Sequence, residues 1–336
     1  MPTPIPFIPA AFDPPIWLRN PHLQTILPKY IMPEPPPYRR DLVLDSRDES
    51  EVAYDFIDAT NINNAADTLP ASTQRSSTPL VVLFHGMEGS SQSHYARTLS
   101  KFVHQQGWHF VVAHTRSCGG VDAKGPLLYS AGDTIETHHA LQHLSQYYET
   151  IYAVGISLGG NTLAKYMGEY AQQAVCDAAT ILSAPLDLSS AATAMENFLG
   201  RKIYTPYLLN PIVSKALAQQ LTEEEIQHIK ASRNIGEFDR VFTAPRYGYR
   251  SENDYYHKAS AMPYLHNIAK PTLIINAQDD PFVGVIPSPG DISEQVTLYQ
   301  PKYGGHIGFI RWKNKKLDAS WFPETTLQFF QRLQGQ

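Results

Sequence analysis

Five short apolar runs leave this chain few ways to fold: LVVLFHG (80–86), HFVVAHT (109–115), IYAVGIS (151–157), AATILSA (178–184) and PTLIINAQ (271–278). Their apolar character is continuous rather than alternating, which is the pattern of strands buried on both faces. Helical stretches at about 92–106, 133–147 and 159–172 lie between most of them. Strand and helix taking turns in this way predicts an α/β fold, with a mostly parallel central sheet and helices on both faces.

Around this core the chain divides into further parts. DLVLDS and EVAYDFI alternate apolar and polar residues about an acidic turn, which predicts a hairpin. The polar stretch TNINNAADTLPASTQRSSTP (60–79) reads as a surface loop. Roughly 85 residues separate ILSAPLDL from AKPTLIIN, far more than an ordinary connection. They hold the helical LTEEEIQHIK and many tyrosines and arginines, so an inserted helical cap is expected. The strand VTLYQP, a glycine loop carrying His306 and an amphipathic helix at about 318–333 complete the chain. The expected organisation is a proline-rich N-terminal arm over 1–40, extended along the domain, a core over 41–185 and 264–336, and a cap over 186–263.

Composition narrows the function classes. A net charge of −5 gives no basic footprint for nucleic acid. Two cysteines, Cys118 and Cys176, make no disulfide framework and fit a reducing compartment. The proline-studded start lacks the features of a signal peptide, and no apolar run reaches the roughly 20 residues of a spanning helix. A cytoplasmic protein without a stable membrane anchor is expected.

The chemistry centres on Gly155-Ile156-Ser157-Leu158-Gly159, a G-x-S-x-G sequence with an apolar run before it and a helical stretch after it. A sharp strand-to-helix turn holds such a serine in a strained conformation, and the flanking glycines prevent collisions. The alternative is a tight turn in which the serine caps the helix. A nucleophilic serine needs a base, and the base needs an orienting acid. His306, in YGGHIGF, is the candidate base. Asp280, at the tip of INAQDDPFV, is the better candidate acid, with Asp279 capping the turn and Asp187 a distant alternative that otherwise caps the cap's entry. Their order, Ser, Asp, His, suits this arrangement. Oxyanion donors are expected from the backbone N–H of Leu158 and of Met87, which follows His85-Gly86; His85 itself reads as a structural residue of that loop.

Together these pieces resemble the α/β-hydrolase superfamily, and within it the YheT-like, AB-hydrolase-4 family. The likeness is carried by NPHLQTILP, HGMEGSSQSHYARTL, HTRSCGG, GISLGGNTLAKYMGE, NAQDDPF and GGHIGF, and runs from about residue 16 to the last helix. HTRSCGG has Ser117 where a glycine is commoner. The resemblance implies the α/β-hydrolase fold, Ser157, Asp280 and His306 as the charge-relay set, and hydrolysis of carboxylic esters, medium-chain or lipid-like ones included. It implies no cofactor and no metal, with a small-molecule ester as partner.

Other residues invite weaker readings. His139 and His143 stand four apart on a helical stretch, a spacing two metal ligands can use, although a solvated helix face fits better. Arg116 and Cys118 could give a reactive thiol, or could shape a loop near the site's mouth. An acyltransferase or thioesterase would use the same three residues with another acceptor. A non-catalytic binding module is the reading from a different class.

Overall fold

The computed structural model describes residues 7–45, 47–48, 50–59 and 75–335. The surface loop expected at 60–79 lies outside the described residues over 60–74.

Eight strands form one sheet: β1 (Arg39–Leu44), β2 (Glu51–Ile57), β3 (Leu80–Phe84), β4 (His109–Ala113), β5 (Ile151–Ile156), β6 (Ala178–Leu182), β7 (Thr272–Ile275) and β8 (Val296–Tyr299). Their order is β1-β2-β4-β3-β5-β6-β7-β8. β1 and β2 are the expected hairpin, and β2 joins β4 antiparallel. From β4 to β8 every pair is parallel. β3, β4, β5, β6 and β7 are buried along their whole length, as their unbroken apolar runs require.

The N-terminal segment holds α1 (Pro21–Ile26) and α2 (Pro28–Ile31), so it is not extended throughout; Asn20 caps α1 by accepting from the N–H groups of His22 and Leu23. α3 (His94–Gln105), α4 (Thr134–Ser145) and α5 (Leu158–Tyr170) fall where the periodicity placed them. Between β6 and β7 lie α6 (Leu188–Ala194), α7 (Thr205–Leu217), α8 (Glu223–Ala231), α9 (Ile235–Phe238), α10 (Ala244–Arg246) and α11 (Glu252–Ala259). Two π-helical turns, Gly200–Tyr204 and Asp239–Thr243, interrupt this series. α8 starts with a reciprocal cap between Thr222 and Glu225. α12 (Trp321–Gln334) ends the fold.

Apolar side chains pack on both faces of the sheet. Leu141, Leu144, Leu163 and Tyr166 from α4 and α5 cover one face. Leu99 and Val103 of α3, with Trp321 and Phe330 of α12, cover the other. Leu209, Ile212, Ala216, Ile229, Phe238 and Phe242 form a separate small core among the helices that follow β6.

Strand order decides where a site can form. The chain leaves β3 for β4 on one side and returns for β5 on the other. A crevice opens at such a switch point, outside the carboxyl ends of the strands. Phe84 of β3 lies opposite Gly155 of β5, so the loops after the two strands meet there.

Candidate active site

Ser157 sits between β5 and α5 with φ 52° and ψ −119°. A non-glycine residue at such a φ costs about 1–3 kcal/mol and persists only where its surroundings hold it. Its N–H donates to Leu182 O at 2.9 Å, and its carbonyl accepts from Asn161 N at 3.0 Å. The side chain makes no capping bond to α5, which removes the helix-cap reading of this serine. The glycines are needed for closeness: a Cβ on Gly159 would lie 2.4 Å from His85 O, and one on Gly155 would lie 2.7 Å from Gly159 O.

The hydroxyl of Ser157 lies 3.0 Å from His306 Nε2. On the other side of the ring, Nδ1 is 3.0 and 2.9 Å from the two Asp280 oxygens. Asp280 follows β7 and His306 follows β8, and both are buried. Asp280 Oδ1 also accepts from Phe282 N at 2.9 Å, and the Phe282 ring stacks on the imidazole with centroids 4.2 Å apart. Asp279 does something else than cap the turn: its Oδ1 accepts from Gly305 N at 2.9 Å, inside the histidine loop. Burial pushes its carboxyl upward. Asp187 caps α6 by accepting from Ser190 N at 2.7 Å.

The loop after β3 crosses directly over Ser157. A Cβ on Gly86 would lie 3.1 Å from Ser157 Cβ. The N–H groups of Met87 and Leu158 have no protein acceptor among the described residues, and both residues line the same cavity as Ser157. His85 is structural. Its Nε2 accepts from Thr115 N at 3.1 Å, which leaves the proton on Nδ1 to donate to Gly86 O at 2.7 Å. Burial drives its pKa down to about 3, so it is neutral. Tyr95 OH accepts from Gly86 N at 3.0 Å. Glu88, with φ 56°, is held by Tyr129 OH at 2.9 Å and by Lys215 of α7.

A cavity of about 660 Å³ opens above Ser157 and His306. Apolar side chains from three regions dominate its wall: Ile26 of the N-terminal segment, Leu128 after β4, and Leu188, Leu208, Ile212 and Phe238 from the helices after β6. Among the polar groups in the wall, Asp239 accepts from Tyr256 OH at 2.9 Å. Burial raises the Asp239 carboxyl to about 6.

The remaining candidates lie elsewhere. His139 Nε2 is 3.1 Å from Leu44 O, and the His143 ring packs against Tyr54 and Tyr147. This helix face therefore rests partly on the hairpin, with both histidines half-buried. No three His, Cys, Asp or Glu side chains gather as a metal site among the described residues. Arg116 is fully buried and ion-paired with Asp45 and Asp48 of the hairpin turn. Burial lifts the Cys118 thiol to about 11, which removes its thiolate character. Ser117 has φ 62°, the left-handed region in which glycine carries no penalty. No helix among the described residues is long and apolar enough to cross a membrane.

Comparison with known proteins agrees with this fold. The pattern of the family described as alpha/beta hydrolase fold matches residues 79–311. YheT of Escherichia coli (strain K12) is 38% identical over 313 residues, covering 90% of this chain and 87% of its own. Human phospholipase ABHD3 is 27% identical over 313 residues, covering 91% of this chain and 75% of its own. Monoacylglycerol lipase of Saccharomyces cerevisiae is 26% identical over 270 residues, covering 75% and 58%. Among solved structures, Pyrococcus furiosus esterase Pf2001 is similar in fold, with a TM-score of 0.55 at 15% identity, covering 90% of this chain and 98% of that one.

Proposed function

This chain belongs to the α/β-hydrolase family, in its YheT-like branch, and from that premise we propose that it cleaves carboxylic esters through an acyl-enzyme on Ser157. The observation that carries the reading is the row Ser157 Oγ, His306 Nε2, His306 Nδ1 and Asp280, each step at hydrogen-bond length. The esterase, lipase and phospholipase relatives support ester hydrolysis as the reaction.

With the Nδ1 proton donated to Asp280, Nε2 is free to accept from the serine hydroxyl. The oxygen attacks the ester carbonyl while His306 takes its proton. The carbonyl oxygen becomes an oxyanion and receives the N–H groups of Met87 and Leu158; the latter opens α5, where the helix dipole also favours negative charge. His306 then returns the proton to the leaving alcohol. Water, deprotonated by the same imidazole, attacks the acyl-serine and releases the acid. Asp280 fixes the ring's tautomer and steadies its positive charge throughout. The helices between β6 and β7 act as the cap, and the apolar cavity takes the acyl chain, so medium-chain or lipid-like esters suit it. Two buried cysteines that form no disulfide support a reducing, cytoplasmic setting.

The test is a panel of p-nitrophenyl esters from about two to twelve acyl carbons, with Ser157→Ala as control. Turnover that vanishes in the variant supports the reading. Product analysis with added alcohols or thiols separates hydrolysis from acyl transfer. Lack of turnover across the panel, with no reaction at Ser157, returns the chain to the class of binding modules.

A further inference from the structure

The loop that carries His306 is strained. Gly305, Ile307 and Phe309 all have φ between 46° and 61°. For a β-branched or bulky residue this is a genuine outlier, which survives only where the surroundings over-determine it. What holds this loop is a series of side chains gripping successive backbone groups. Asp279 takes the N–H of Gly305, and Ser183 takes that of Ile307 at 3.0 Å. The other grips come from α1, more than 280 residues away in the chain. Thr25 Oγ1 accepts from His306 N at 3.0 Å. Gln24 Oε1 accepts from Ile310 N at 2.7 Å, while its Nε2 donates to Ile310 O at 2.9 Å and to Leu18 O at 3.0 Å.

The fit extends to the backbone. A Cβ on Gly308 would lie 2.1 Å from Gln24 O, and one on Gly305 would lie 2.5 Å from Pro21 O. The glycines of the histidine loop thus serve as the seat for α1. From the same helix, His22 Nδ1 meets Tyr204 OH at 2.7 Å, and Tyr204 packs on Phe282, which stacks on the imidazole.

We propose that Thr25 and Gln24 of the N-terminal helix are positioning residues that hold His306 in reach of Ser157. This rests on the reading of Ser157, Asp280 and His306 as the catalytic set. Thr25 is not itself a proton carrier, because its one O–H is committed to Pro21 O at 2.7 Å while its oxygen accepts from His306 N. Removing that hydroxyl leaves the buried N–H of His306 unpaired and frees the loop to shift. Displacements near 1 Å at a reacting group cost about a hundredfold in rate.

The experiment is a double-mutant cycle between Thr25→Val and His306→Ala on a p-nitrophenyl ester, with Thr25→Ser as the hydroxyl-restoring variant. Thr25→Val is expected to lower kcat by about ten- to a hundredfold with little change in KM, and to slow fluorophosphonate labelling of Ser157 in proportion. Thr25→Ser should recover most of both rates. In the His306→Ala background Thr25→Val should leave the residual rate unchanged, because the group it positions is gone. If Thr25→Val does not fold, Thr25→Ala serves in the same cycle. Retention of wild-type kcat by the folded variant, or an equal loss in the His306→Ala background, overturns the positioning role alone. Wild-type protein that neither labels nor hydrolyses overturns the hydrolase reading, and this inference with it.

Discussion

Lys215 Nζ of α7 lies 2.7 Å from Glu88 Oε2. Glu88 directly follows Met87, so α7 grips the loop that crosses Ser157. Tyr129 OH holds the other carboxylate oxygen at 2.9 Å, and the two residues are largely shielded from solvent.

Lys215→Met should leave the Glu88 carboxylate partly buried with a single remaining donor. The expected loss is about 1–3 kcal/mol in unfolding free energy. Because the strained Glu88 then relaxes, the Met87 N–H moves as well, and kcat should fall by about tenfold with KM less affected. Urea unfolding and steady-state kinetics on the same preparation check both effects.

The two neighbouring aspartates should behave in opposite ways. Asp280→Asn removes the carboxylate that holds the imidazole tautomer, and kcat should drop by about ten thousandfold while the protein stays folded. Asp279→Asn keeps an oxygen able to accept from Gly305 N, so its kcat should stay within about threefold of wild type. Kinetics on a single ester, with circular dichroism to confirm folding, distinguish them.

Arg116 joins Asp45 and Asp48 in an ion-paired cluster in which Arg116 and Asp45 are fully buried. Arg116→Leu strands a buried charge in the hairpin turn, and the expected penalty is about 3–5 kcal/mol. Arg116→Lys should recover only part of it, since a single ammonium cannot reach both carboxylates as the guanidinium fork does. Denaturant midpoints of the three proteins test this.

Asp239 predicts a pH dependence of stability. Its folded-state carboxyl is raised to about 6 from an ordinary value of 3.8 by burial in the cavity wall. Between those values the folded protein holds a proton that the unfolded chain releases, so the unfolding free energy falls as pH rises through that window. The loss levels off above about pH 6, at roughly 3 kcal/mol as an upper figure. Asp239→Asn should abolish this component, so its advantage over wild type should grow from pH 4 to pH 7. Urea unfolding at both pH values measures the difference.

What could be read ahead of the structure follows from the range of the forces involved. Leu80–Phe84 and Ile151–Ile156 announce themselves because a strand buried on both faces must be apolar at every position. Ser157 and Asp280 stand out because each follows such a run, and His306 because it sits in a glycine loop after the last strand; the parallel order β5-β6-β7-β8 sets those ends along one edge of the sheet. Gln24 and Thr25 gave no such signal. They fall in a proline-rich start that reads as an extended arm, and their hydrogen bonds to Ile310 and His306 cross nearly the whole chain. The spacing of His139 and His143 carries no information on the contacts of α4 with the hairpin, which form across the fold. Arg116 lies in a loop whose carboxylate partners belong to a turn some 70 residues earlier, beyond any local pattern.

The row of hydroxyl, imidazole and carboxylate is tested most directly by trapping the intermediate it should form. Wild-type protein mixed with a p-nitrophenyl ester and quenched in acid within the first turnover should gain the mass of one acyl group, on the peptide containing Ser157. Ser157→Ala should gain none and should not turn over. An acyl group on any other residue, or undiminished turnover in Ser157→Ala, would contradict the assignment.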